Sequence, residues 1–168
     1  MNNAIIQGQV WKYGDDINTD VIFPGKYTYT VQDPEAMAAH ALEDLDPSFR
    51  EHVQPGDIIV AGKNWGCGSS REQAVICLKQ IGIHAIIAQS FARIYYRNCI
   101  NNALLAIVCP QIVGMVEKGD LLEINLQDGE IITDQTTVGF SPLPPSVQDI
   151  FDHGGLVQYT RYRLSQQP

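Results

Sequence analysis

The sequence predicts an α/β domain, and three observations carry that prediction. Between Asp57 and Cys109 short apolar runs alternate with segments of helical spacing. Beyond Pro110 the style changes to short runs separated by the dipeptide Asp128-Gly129, the best hairpin signal in the chain. No repeat, low-complexity stretch or long linker divides the 168 residues, so residues 1–168 are expected to form one domain with a core large enough to fold without cross-links.

Taken in order, the opening AIIQGQVWKYG is β-prone and stops at Gly14, which predicts a strand followed by the polar loop DDINTDVIFPGKY. Asp33 as N-cap and Pro34 at the first helical position start a helix. Its face is Met37, Ala38, Ala41 and Leu42, and its end is expected near Leu45. Pro55-Gly56 turns the chain into DIIVAG, a buried strand that leads to the glycine-rich GKNWGCGSSRE at residues 62–72. QAVICLKQIG then sets Ala74, Val75, Leu78 and Ile81 on one side of a helix, with Gly82 as its stop. HAIIAQS reads as a strand covered on both faces. Ser90 is expected to cap a helix over FARIYYRNCINN that points Phe91, Ile94, Tyr95 and Ile100 inward, and ALLAIVCP is the next strand. Right-handed crossovers should join these units. GDLLEINLQDGEIITDQTTVGF forms a small antiparallel unit, SPLPPS leads into the amphipathic helix VQDIFDHGG, and the tail is helical.

Composition narrows the function. A net charge of −8, from 19 acidic and 11 basic residues, argues against nucleic acid or an anionic membrane as the main partner. No apolar run approaches the roughly 20 residues that span a bilayer, and the N-terminal stretch lacks a basic region and an apolar signal core, so a cytoplasmic location is expected. Cys67, Cys77, Cys99 and Cys109 include no CxxC pair; stable disulfides and a metal or iron–sulfur site built by this chain alone are not expected, and Cys77, Cys99 and Cys109 read as core residues. His40, His52, His84 and His153 share no metal-ligand spacing.

GCGSSRE stands where a helix begins, with free backbone N–H groups, partial positive charge and glycines that admit an anion. Ser69 and Ser70 either cap that helix or offer hydroxyls to a ligand; Arg71 either pairs with an acid such as Glu72 or clamps a carboxylate. Arg93 and Arg97, four apart, either form surface salt bridges or bracket an anion. Asp15, Asp16 and Asp20 either are solvated turn residues, or bind a cation, or orient a base.

NWGCGSSRE, SFARIYYRN with the neighbouring IN, and DDINTDVIFPGKY together, in order from about Gly14 to Leu105, resemble the small subunit of 3-isopropylmalate dehydratase and its homoaconitase relatives, equivalent to the swivelling C-terminal domain of aconitases. The resemblance implies a three-layer swivelling β/β/α domain that binds no cofactor itself and works with a large subunit holding a four-iron, four-sulfur cluster. The reaction implied is loss of water from a hydroxy dicarboxylate and its readdition at the next carbon, which in leucine synthesis interconverts 2- and 3-isopropylmalate. Carried over by position, Ser69 is the base beside a substrate carboxylate while the partner's iron polarises the leaving hydroxyl; Ser70 and Arg71 hold that carboxylate; Asp20 orients or charge-balances a histidine of the large subunit. An apolar rim left open without the partner should favour self-association. REQ at residues 71–73, where relatives often have REH, should leave the site intact.

The loop PGKYTYT, residues 24–30, hangs over the variable part of the substrate in this family, which makes Lys26, Tyr27, Thr28 and Tyr29 substrate-binding candidates. Tyr29 stands where homoaconitase-like members tend to carry an arginine, so an uncharged substituent such as isopropyl is expected, with Lys26 the one residue able to replace that arginine. Thr28 and Thr30 leave a smaller methyl-substituted malate open. Two other classes compete: a stand-alone carboxylate-binding module, and an adaptor whose interface is the aromatic surface around Trp65 and Tyr27.

Overall fold

The computed structural model describes residues 5–166. Strand β1 (Ile5–Tyr13) is followed by the short helix α1 (Thr19–Ile22), a 3-10 turn (Gly25–Tyr27), α2 (Pro34–Ala38) and α3 (Phe49–His52). Then come β2 (Ile58–Ala61), α4 (Gln73–Gln80), β3 (Ala85–Ala88), α5 (Arg93–Asn101), β4 (Leu105–Val108) and α6 (Pro110–Val113). The chain finishes with β5 (Leu121–Asn125), β6 (Glu130–Ile132), β7 (Thr137–Gly139), α7 (Pro145–Asp152) and α8 (Leu156–Ser165).

The seven strands among the described residues lie in one sheet of order β4-β3-β2-β1-β5-β6-β7. The three strands read as continuous apolar runs are its parallel half, and each aligns with its neighbour over four residues. β1 joins the halves: Val10–Tyr13 pair in parallel with Ile58–Ala61, while Ile5–Gln9 pair antiparallel with Asn125–Leu121. The backbones come close where β1 changes partner, since a Cβ on Gly8 would lie 2.1 Å from the carbonyl oxygen of Gly56.

Alternation along β2 and β3 separates two apolar clusters. Ile59, Ala61, Ile86 and Ala88 pack with Leu42, Phe49, Val75, Leu78 and Tyr95 from the helices on one face. Ile58, Val60, Ala85 and Ile87 share the second cluster with Leu122, Ile124 and Ile131 of the antiparallel half. The sheet therefore curls over itself and gives helix, sheet and sheet layers, the α/β arrangement expected.

Several elements depart from the sequence reading. Helix α2 stops at Ala38 although its apolar spacing continues, because Leu42 takes φ +57 and donates its N–H to the Ile22 carbonyl at 2.9 Å. Fully burying Leu42 outweighs the further helix expected from residue 39 to about Leu45. Ser90 does not cap α5; Ala92 is the N-cap, and the Ser90 Oγ accepts the Asn64 N–H at 2.9 Å. Tyr95 is buried as expected, whereas Ile94 is exposed. α4 ends as read, with Gly82 at φ +103 returning its N–H to the Lys79 carbonyl.

Asp57 is the buried carboxylate at the foot of β2, and it accepts from the Trp11 indole at 2.8 Å and the Gln54 N–H at 2.9 Å. Asp57→Ala leaves both donors without an acceptor and should lower unfolding free energy by about 2 kcal/mol, read as a lower urea midpoint at unchanged slope.

Candidate functional site

The glycine-rich loop, residues 62–72, connects β2 to α4 and is stitched to residues 14–20, which follow β1 and enter α1. Gly62 donates to the Gly14 carbonyl (3.1 Å), Asp16 to Lys63 (2.8 Å), Gly66 to Ile17 (2.8 Å) and Thr19 to Cys67 (2.8 Å). The buried Thr19 hydroxyl adds a bond to the Ser69 carbonyl at 2.9 Å. Asp15 accepts the Lys63 N–H at 2.7 Å and Asp16 the Asn64 amide at 2.8 Å. These two carboxylates therefore brace the loop.

Gly66 fixes the path of this loop. Its φ is +76, and a Cβ there would lie 2.1 Å from the Tyr95 ring. Tyr95 cannot yield, since it is buried and its hydroxyl donates to the Ala74 carbonyl at 3.0 Å. Trp65, on the inner side of the same turn, is 0% exposed, which removes it from any adaptor surface.

The loop delivers Ser69, Ser70 and Arg71. Neither serine caps α4, because that helix starts at Gln73 and its N-cap, Glu72, makes no side-chain cap bond. Both serines are exposed, and neither hydroxyl is hydrogen-bonded to another described group. Arg71 does not pair with Glu72, which instead accepts from Asn102 at 2.9 Å. Its Nη1 lies 2.6 Å from Asp20 Oδ1, with the Arg71 side chain 18% exposed. The contact is an ion pair and not an aligned hydrogen bond, since Nη1 is closed to solvent and has no hydrogen-bond acceptor. Asp20 sits in the first turn of α1, whose N-cap Asn18 accepts from Asp20 N–H at 2.8 Å. Gly25 closes the arrangement: a Cβ there would come within 2.8 Å of Asp20 Oδ1 and 3.0 Å of Arg71 Nη1.

Residues 24–30 begin at this ion pair and run outward. Lys26 Nζ is 2.7 Å from Glu43 Oε1, and the Tyr27 hydroxyl donates to the same oxygen at 3.0 Å. Tyr27 is half-buried and stacks on His40 with centroids 3.7 Å apart. Thr28 Oγ1 is buried without a partner, and Tyr29 is 90% exposed. Sequence reasoning missed Glu43, whose only local signal is the spacing of three from His40, and Thr19 and Asn18, which act across loops.

Arg93 and Arg97 do not form the surface salt bridges considered above. Among the described residues neither has an acidic partner, and they line a cleft of about 350 Å³ with Phe91, Tyr96 and Val108. Burial pushes the Cys77 and Cys99 thiols up, so both stay protonated. Among the described residues no three His, Cys, Asp or Glu side chains gather as metal ligands, and no helix is long and apolar enough to cross a membrane.

This chain is similar to a well-populated family. The aconitase C-terminal domain model matches residues 10–112. The 3-isopropylmalate dehydratase small subunit of Thermodesulfovibrio yellowstonii is 47% identical over 162 residues, 95% of this chain and 96% of the relative. The isopropylmalate/citramalate isomerase small subunit of Methanocaldococcus jannaschii is 46% identical over 97% of this chain and 98% of its own. The crystal structure of 3-isopropylmalate dehydratase from Methanocaldococcus jannaschii superposes with TM-score 0.90 at 44% identity, covering 96% of both chains.

Gly66→Ala should cost on the order of 3 kcal/mol, from positive φ and overpacking against Tyr95 together. Gly114→Ala, whose Cβ meets nothing within 4 Å, is the control and should be near neutral in the same urea titration.

Proposed function

The chain belongs to the aconitase C-terminal domain family, among the small subunits of 3-isopropylmalate dehydratase, and on that premise we propose that residues 1–168 act as one domain supplying half of a hydro-lyase site that a large subunit completes. The reaction is dehydration and rehydration of an isopropyl-substituted malate, the step of leucine biosynthesis that moves a hydroxyl between neighbouring carbons. The observation that carries this reading is the placement of two exposed, uncommitted serine hydroxyls directly before a mostly buried arginine whose Nη1 faces Asp20 while its Nη2 and Nε bond no described group.

Arg71 binds a substrate carboxylate. Its planar fork takes two oxygens at once, and Asp20 sets its direction without exhausting its donors. Ser70 adds a hydroxyl to the same anion. Ser69 removes the proton from the carbon beside that carboxylate, while the hydroxyl on the neighbouring carbon leaves with its bonding electrons and a double bond remains. Water then adds at the other carbon and Ser69 returns a proton. The Arg71 guanidinium stabilises the serine alkoxide once a partner excludes water. Asp20 holds Arg71 and is available to a histidine of the large subunit.

The four-iron, four-sulfur cluster belongs to that large subunit. The residues of this chain do not fit one: Cys77, Cys99 and Cys109 are buried and Cys67 donates its Sγ–H to the Asp16 carbonyl at 3.4 Å.

Tyr29, exposed beyond the Gly25 end of the site, offers the substrate apolar area and no charge, which suits an alkyl substituent. The name of the Methanocaldococcus jannaschii relative, isopropylmalate/citramalate isomerase small subunit, supports a second reading in which a methyl-substituted malate is also accepted.

Ser69→Ala should abolish dehydration in the reconstituted complex, by a factor of about a thousand or more in kcat, with folding and subunit assembly retained because the Ser69 hydroxyl bonds no described group of the chain. Activity within about tenfold of wild type would remove Ser69 as the base.

A further inference from the structure

We infer that Glu43 is a positioning residue that sets which substrate charge the Ser69–Arg71 site accepts, by holding the Lys26 ammonium away from that site. The inference rests on the functional reading above and extends it to specificity.

Lys26 follows Gly25, and Gly25 is the residue that abuts the guanidinium of Arg71, with a Cβ position 3.0 Å from Nη1. A cation on a flexible four-carbon stem is thus anchored one residue from the carboxylate clamp, within reach of whatever Arg71 binds. Its ammonium is engaged elsewhere. It lies 2.7 Å from Glu43 Oε1, 3.8 Å from Asp44 Oδ1 and 4.9 Å from the centroid of the Tyr27 ring, and Asp20, the carboxylate beside Arg71, is not among its partners.

Glu43 is held from two further directions. The Tyr27 hydroxyl donates to Oε1 at 3.0 Å, and His40 Nδ1 lies 2.6 Å from Oε2. The Tyr27 and His40 rings stack at 3.7 Å, so both anchors of Glu43 brace each other. Burial raises the Glu43 carboxyl, but hydrogen bonds from Lys26, His40 and Tyr27 outweigh it and hold it down at about 2. The Glu43 hydrogen bond pushes Lys26 up to about 12. Both groups are charged throughout the neutral range, and the latch stays closed there.

With Lys26 tied, Arg71 is the one cation among the described residues that lies against Asp20 and Gly25. A hydroxy dicarboxylate with an alkyl substituent meets no stray positive charge beside that substituent. A tricarboxylate would bring a third anion to a place that offers it none, at a substantial desolvation cost. Freed from Glu43, Lys26 supplies the missing counter-charge.

The test compares wild type, Glu43→Gln, Glu43→Gln with Asp44→Asn, and that double variant with Lys26→Met. Glutamine keeps the shape and can still accept from Tyr27, and Asp44→Asn removes the second carboxylate able to recapture Lys26. In the isolated chain, acylation at Lys26 by a mild anhydride, followed by peptide mapping, should quicken at least threefold in the first two variants. In the reconstituted complex, the ratio of kcat/KM on homoaconitate to that on isopropylmalate should rise roughly fivefold, the effect of a partly exposed ion pair. It should fall back when Lys26→Met is added. A loss of folding alone lowers both activities and does not move the ratio. An unchanged acylation rate overturns the latch. Faster acylation with an unchanged ratio, or a changed ratio that survives Lys26→Met, overturns its role in specificity. No turnover of either acid by the wild-type complex overturns the functional reading and the specificity role with it, whereas the acylation arm still decides the latch.

Discussion

Arg71 and Asp20 come from two loops distant in sequence, and their 2.6 Å contact is possible only because those loops run side by side. Backbone bonds from Gly62 to Gly14, Gly66 to Ile17 and Thr19 to Cys67 set that alignment. Each loop leaves the end of a neighbouring parallel strand, β1 or β2, so the register of Tyr13 on Ala61 fixes where both begin. Everything proposed for the site depends on this constraint. The serines are exposed because the loop backbone, not their hydroxyls, makes the cross-loop bonds, and the guanidinium is aimed because Asp20 stands on a capped turn whose neighbour, Gly25, has no side chain to push it aside.

The same constraint separates a rigid part of the site from an adjustable one. Ser69, Ser70 and Arg71 hang on the core through Gly66 and the buried Tyr95, which suits chemistry shared by all substrates. Residues 24–30 touch that frame at Gly25, pack on the core through Tyr27, and are tied at their side chains to Glu43 and His40. Under the function proposed above, changing those contacts alters what the outer loop presents without disturbing Ser69, Ser70 and Arg71, which would let one frame take dicarboxylates that differ in a single substituent.

Much of this was legible in the sequence where the cause is local. Strands β2, β3 and β4 are apolar runs because both faces are covered; α4 ends where Gly82 supplies positive φ; Gly129, at φ +71, turns the hairpin. What was not legible depends on partners far along the chain. The double pairing of β1 has no local signature, and helices of four residues such as α1, α3 and α6 are too short to show a period. In the site, the motif GCGSSRE marks Ser69, Ser70 and Arg71 as candidate ligand-binding residues. Local chemistry left each serine as either a cap or a ligand hydroxyl, and the start of the helix at Gln73, with Glu72 as its N-cap, decides against the cap. The pairing of Arg71 with Asp20 and of Lys26 with Glu43 follows from the folded path alone.

The most direct measurement is a crystal structure of this chain with the large subunit and bound isopropylmalate. The account predicts one substrate carboxylate in two-point contact with Arg71 while Asp20 keeps its place on the guanidinium, and Ser69 Oγ within about 3.5 Å of the carbon that loses its proton. A substrate held entirely by the large subunit, with Ser69 and Arg71 facing solvent or away from it, would contradict the central claim.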